Sequence, residues 1–225
     1  MSQLQQKIAF RINEKVFVKD PLSSELGTRI IRKAVDLIEL NGFDDFTFKK
    51  LATEIESTEA SIYRYFTNKH NLLAYLMMWY WSWMEYRIVL RTLNIDCPKT
   101  RLLNSIKVLT EQVEEDTDFM QVNEVKLQSI VIEESSKVYL NKKVEEDNKL
   151  GFFVSYKIVV ERIADIIGEI DPKFKYPHML VSTVIEGAHH QRFFVKNLPR
   201  LTDVIEGEDS VTDFYIKLTE KTLDF

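Results

Sequence analysis

The stretch Ser57–His70, STEASIYRYFTNKH, gathers the groups that a polyanion would engage. It holds hydroxyls at Ser57, Thr58 and Ser61, phenols at Tyr63 and Tyr65, a guanidinium at Arg64 and an ammonium at Lys69. Hydroxyls and phenols donate hydrogen bonds to phosphate oxygens, cations neutralise them, and short polar side chains at a helix start reach base edges. One residue has the opposite sign, Glu59. Two roles are open to it: complementing the positive end of a helix, or accepting a hydrogen bond from a cytosine amino group.

Such groups need elements to position them. Thr47 reads as a helix N-cap, with Phe48, Leu51, Ala52 and Ile55 on one face of the helix that follows. Glu56-Ser57 is a tight break, and Thr58 caps a second, very short helix with Ile62 and Phe66 turned inward. Glu59, Ala60, Tyr63 and Arg64 are then left facing outward. A longer helix precedes this pair: Asp20-Pro21 is a start signal, Leu26, Ile30, Ala34, Leu37 and Ile38 recur at helical spacing, and Asn41-Gly42 marks the stop. A fourth helix runs from about Lys69 to Asn94. The spacing predicts further helices over Arg101–Glu115, Val122–Leu140, Phe152–Ile167, Tyr176–Val195 and Val211–Leu223. The expected fold class is therefore all-α: an N-terminal three-helix domain with a helix-turn-helix at about 47–66, and a helical C-terminal domain.

Other chemistries find little footing. Cys97 is the single cysteine, so neither a disulfide framework nor a CxxC pair exists within the chain, and a reducing cytoplasm fits. His189-His190 and His178 lie eleven residues apart or more, about 16 Å along a helix at ~1.5 Å per residue, with no carboxylate or thiol to complete a metal set. No metal and no cofactor are expected. There is no GxSxG, P-loop or HExxH motif, and no enzyme activity is expected. The most apolar run, Leu72–Met84, is too short for a spanning helix and is followed at once by Glu85 and Arg87, so no membrane role is expected. The net charge of −5 does not oppose DNA binding, because it is uneven. Residues 1–75 hold 11 Lys/Arg against 10 Asp/Glu, and the remainder holds 19 against 25. Charges are screened over roughly 8–10 Å in physiological salt, so the local field decides.

From Leu26 to Leu76 the chain resembles the DNA-binding domain of TetR/AcrR-type transcriptional regulators. The residues that carry the resemblance are Ala34, Gly42, Phe43, "FTFKKLATEI" (46–55) and "STEASIYRYFTNKHNLL" (57–73). The chain departs from the family pattern at Glu56, where glycine is usual, at Ser57, where a small apolar residue is usual, and at Tyr65, where histidine is common. The resemblance implies a homodimer, each subunit placing its third helix in one half-site of a near-palindromic double-stranded DNA operator. It further implies a small-molecule effector bound by the larger domain, most often with repression as the outcome. Carried over by residue, Thr47 would hold a phosphate from a helix N-terminus and Lys49 would face the DNA. Thr58, Ala60, Ser61, Tyr63 and Tyr65 would lie on or beside it, and Lys69 would grip the backbone.

The division expected along the chain is an arm over residues 1–22, a head over 23–80, and a regulatory and dimerisation domain over 81–225. In the arm, Ile8, Phe10, Val16 and Val18 alternate around Asn13-Glu14-Lys15, as in a short hairpin or an extended segment that covers apolar surface. Tyr80, Trp83, Met84, Phe153 and Tyr156 are candidates to line an effector pocket, although core packing is the default reading of each. The apolar faces of the last two long helices, together with the resemblance, place Phe194 and Phe214 at a dimer interface. A rival from another class is a helical protein-interaction or ligand-binding module whose head no longer reads DNA.

Overall fold

A computed structural model describes residues 12–114 and 122–225, and its described elements are helical. They are α1 (Glu25–Asp45), α2 (Phe48–Glu54), α3 (Glu59–Tyr63), α4 (Lys69–Thr92), α5 (Pro98–Thr110), α6 (Glu124–Glu134), α7 (Ser136–Tyr139), α8 (Val144–Lys149), α9 (Val154–Ile170), α10 (Pro177–Asn197) and α11 (Ser210–Thr222), with short 3-10 turns at Glu14–Val16, Pro21–Ser23 and Pro199–Leu201.

The chain packs into two compact units. The first holds residues 1–82 and 113–154, the second 83–112 and 155–225. The sequence expectation divides the chain near residue 80 and assigns 113–154 to the C-terminal domain. The first unit instead includes α6–α8, because α1 needs them. Ile30, Ile31, Ala34, Val35 and Ile38 of α1 and Leu127, Ile130 and Val131 of α6 are all buried. Polar links flank this layer: Lys126 Nζ donates to Asp36 at 2.6 Å, and Lys137 Nζ donates to Asp44 at 2.7 Å. On α4, His70 Nε2 lies 2.9 Å from buried Asp147 of α8. Within the run KKVEEDNK (142–149), Asp147 is thus turned inward.

Helix boundaries differ from expectation where caps outweigh periodicity. Asp20 caps only a 3-10 turn, accepting from the Leu22 N–H. α1 opens on Ser24, whose hydroxyl accepts from the Gly27 N–H at 3.2 Å. Gly42 does not end α1 but breaks it, with φ 76° and ψ 160°, and one more helical stretch runs to Asp45. The Phe43 N–H after this break is taken by Glu134 Oε1 at 2.9 Å. At 13–15, Asn13 caps the 3-10 turn Glu14–Val16. Ile8 and Phe10 lie outside the described residues.

In the second unit the ends of α5, α10 and α11 are joined through Arg192. Its guanidinium donates to the Thr110 carbonyl at 2.5 Å and to Asp209 at 2.6 Å. Asp209 in turn caps α11 through the Thr212 N–H. The guanidinium and Thr212 lower the Asp209 pKa against the opposing effect of burial. Among the described residues, no helix is long and apolar enough to cross a membrane.

Candidate nucleic-acid interface

α2 and α3 form the helix-turn-helix. Thr47 accepts from the Lys50 N–H at 3.2 Å and starts α2, whose Phe48, Leu51 and Ala52 are buried. The turn is closed by two paired hydrogen bonds, Glu56 N–H to Thr53 O at 3.1 Å and Ser57 N–H to Ala52 O at 2.9 Å. This capping pattern needs a left-handed residue at its centre, and Glu56 supplies it with φ 50°. The usual glycine is therefore replaced in identity but not in conformation. Thr58 then caps α3 through the Ser61 N–H at 3.2 Å.

α3 turns Ile62 and the following Phe66 fully inward. Glu59, Ala60, Tyr63 and Arg64 are exposed, as are Thr47, Lys49 and Thr58, while Ser61 is half-buried. Tyr63 is 49% exposed and leans edge-on against Phe48, with ring centroids 5.1 Å apart, so its phenol is held off the surface at a fixed angle. Arg64 reaches back towards the Ser61 hydroxyl at 3.4 Å, which itself lies 3.0 Å from the Thr58 hydroxyl. These groups form one polar face suited to a groove: hydroxyl donors at the helix start, a phenol and a guanidinium beyond them.

Two expected members of this face are committed elsewhere. Tyr65 is 4% exposed; it packs into the head, and its hydroxyl shares a 2.8 Å hydrogen bond with Ser24. Lys69 does not project as a free cation. Its ammonium donates to the carbonyls of Phe43 (2.9 Å), Asp44 (3.0 Å) and Phe46 (3.0 Å), and it lies 4.7 Å from the Phe43 ring centroid. It therefore satisfies the carbonyl end of α1, where a positive charge is favoured. The partners Ser24 and Phe43 are far away in sequence, and no periodicity points to them.

Residues 30–76 match the family model described as bacterial regulatory proteins, tetR family. The chain carries the helix-turn-helix head of the TetR family of regulators.

Solved structures share the fold over most of the chain. A tetR-family regulatory protein from Rhodococcus RHA1 superposes with a TM-score of 0.60 at 12% identity, covering 89% of this chain and 97% of its own. AibR in complex with isovaleryl coenzyme A and operator DNA gives 0.59 at 17% identity, covering 84% and 95%. The fatty acid degradation regulator FadR from Bacillus halodurans gives 0.57 at 16% identity, covering 95% and 96%. At these identities the likeness is one of fold. No curated protein matches the chain significantly.

Outside the TetR-type head, the expected pocket residues are placed as follows. Tyr80 is buried in the first unit, edge-on to Trp81 at 5.1 Å. In the second unit Trp83 and Met84 are buried, and the Arg87 guanidinium lies 4.8 Å from the Trp83 ring centroid. Tyr156 donates to Glu186 at 3.0 Å, and Phe153 is half-buried. A cleft of about 360 Å³ lies elsewhere in the second unit, lined by Gln191, Leu201, Ile205, Val211 and Phe214 among others, and by none of those five candidates. Phe214 is 55% exposed, and Phe194 is half-buried against His190 and Phe193. His189 is buried, and desolvation, with a smaller effect from His190, pushes its pKa down to about 4. His178 pairs with Glu161 at 2.8 Å. Among the described residues no group of three or more potential ligands is placed to hold a metal ion.

Proposed function

We propose that this chain is a homodimeric TetR-type transcriptional regulator, a ligand-responsive repressor that binds a near-palindromic operator through α3. The observation that carries the reading is the outer face of α3. A five-residue helix is too short to persist for its own sake, yet it is capped, closed by a complete turn and held with Glu59, Ala60, Tyr63 and Arg64 free of the core. Lys49 and Thr47 at the start of α2 extend that face toward the phosphates. The rival reading, a DNA-inactive head, draws on the unusual turn residues Glu56 and Ser57 and on the acidic total charge. Against the first of these, Glu56 takes the left-handed conformation and both turn hydrogen bonds are made.

In this reading the division is functional: residues 23–80 read DNA, and 81–225 sense the effector and join the subunits. Support for dimerisation through α10 and α11 comes from their exposed apolar residues, Met179, Val195 and Phe214. Support for a small-molecule effector comes from the shared fold with AibR, a structure that holds both isovaleryl coenzyme A and operator DNA. An effector acts by binding one conformation of the dimer better than the other, and so shifts the population away from the DNA-competent one.

The test is binding. Sequences should be selected from random DNA by the purified protein and compared with inverted repeats near its own gene. The expected result is a two-fold symmetric site whose half-sites lie about one helical turn apart, roughly 34–36 Å. Recovery of no sequence preference at low salt would overturn the reading.

A further inference from the structure

Residues 13–24, ahead of α1, are fastened along their length. Asn13 donates Nδ2 to the Leu150 carbonyl at 2.9 Å. Next to that bond, Gly151 has φ 84°, and a Cβ there would come within 2.4 Å of Asn13 Nδ2. Val16 is fully buried, and Phe17 meets Tyr75 edge-on at 6.1 Å. The Val18 N–H donates to the Tyr65 carbonyl at 2.8 Å, and the Lys19 ammonium lies 5.3 Å from the Tyr65 ring centroid. Pro21 is pressed so closely on α1 that a Cβ at Gly27 would stand 2.1 Å from the Pro21 carbonyl oxygen. Ser24 closes the run, capping α1 and bonding the Tyr65 hydroxyl.

Three of these attachments converge on one residue. Tyr65 is held by its carbonyl, its ring face and its hydroxyl, each from a different position of the segment. It also stands at the exit of α3, where its N–H bonds the Ile62 carbonyl at 2.8 Å. A helix of one turn has no stiffness with which to hold its own direction, so what grips its ends decides how its outer face is aimed. Ile62 and Phe66 fix the buried side of α3. Nothing in them fixes its tilt about that side.

We propose that residues 13–24 are a strap that aims α3, with Tyr65 as the positioning residue on which it pulls. Its far anchor at Leu150–Gly151 makes the aim of α3 depend on the turn that ends α8. Tyr65 acts here through α3 and not by touching DNA. The consequence for operator binding rests on the reading given above; the mechanical claim does not.

Two variants test it in the full chain. Asn13→Asp keeps the oxygen that accepts from the Lys15 N–H but loses the donor to Leu150. Tyr65→Phe keeps the ring and loses the bond to Ser24. Both are mild enough to leave the fold intact, which unchanged amide exchange in α10 and α11 would verify. The first measurement needs no DNA: hydrogen exchange over residues 55–66 should quicken by about fivefold in each variant, the factor that one net hydrogen bond supplies. The second is operator affinity across a salt series. Affinity should fall by a similar factor, and in Tyr65→Phe the salt slope should stay at the wild-type value, because no cation is removed. Unchanged exchange over 55–66 in both variants would overturn the strap, whatever the DNA result. Quickened exchange with operator affinity unchanged in both variants would overturn the aiming role. Quickened exchange in a protein that binds no operator at all would uphold the strap and defeat the operator reading instead.

Discussion

Replacing Lys69 with methionine should cost the protein stability and leave the salt dependence of DNA binding alone. The side chain keeps its length but loses an ammonium that donates to three carbonyls, those of Phe43, Asp44 and Phe46, at 2.9–3.0 Å. A hydrogen bond from a charged donor contributes roughly 1.5–3 kcal/mol, and the three are not additive because one ammonium serves them all. The Asp44 carbonyl is exposed and turns to water at little cost, whereas the Phe43 and Phe46 carbonyls are partly buried and lose more. The contact with the Phe43 ring adds about 0.5–1 kcal/mol. A loss of about 2–3 kcal/mol follows, or roughly 4–12 °C for a chain of this size. Denaturant titration followed by circular dichroism reads it as a lowered midpoint at constant slope. Operator titrations at several salt concentrations supply the other half. A variant as stable as the wild type, with a salt slope reduced by about one, would show that Lys69 grips a phosphate and would refute the capping argument.

The other expectations are shorter to state. Glu56→Gly removes a non-glycine residue from left-handed backbone and should stabilise the protein by up to about 1 kcal/mol, read as a raised denaturant midpoint. Glu59→Gln separates the two roles of that carboxylate: relaxed choice at one base pair per half-site by roughly 1–3 kcal/mol means base reading, while unchanged preference with a stability loss of about 0.3–1 kcal/mol means complementing the helix end. Phe214→Asp places a charge on an exposed apolar position, so the single subunit should fold normally and light scattering should report monomers; Phe194→Asp, on a half-buried residue, should do the same with some loss of stability. His189 titrates below the ordinary 6.5, at about 4, so the unfolded chain binds its proton first. Its contribution is full above about pH 6.5 and fades as pH falls towards 4; His189→Gln should flatten that part of the stability–pH curve.

What could be read without coordinates was local. Thr47, Thr58, Ile62 and Phe66 declare themselves by cap chemistry and spacing, and the structure places each where those rules put it. Tyr65 and Lys69 were legible as types but not as roles, because the groups that claim them sit 41 residues away at Ser24 and 26 away at Phe43. No alternation within a window can report such a partner. Glu134 is harder still: its bond to the Phe43 N–H spans 91 residues and depends on the break at Gly42. The helix start misplaced at Asp20-Pro21 has a similar cause. Asp20 does cap, as its type requires, but only the 3-10 turn Pro21–Ser23, and Pro21 then packs against Gly27 of α1, a partner that no helical spacing reports.

The first unit is built from two stretches of chain, up to residue 82 and from 113 to 154. A ribosome therefore delivers α1 through α3 well before it delivers the α6 that packs on α1. At ~5–20 residues per second, the interval between residue 82 and the end of α6 at 134 lasts roughly 3–10 s. Throughout it the apolar side of α1, with Ile30, Ile31 and Ile38, waits without its cover. A head cut off near residue 80 would be left permanently in that nascent state. Chaperone dependence during synthesis, and aggregation of such a fragment, are what this order of arrival entails.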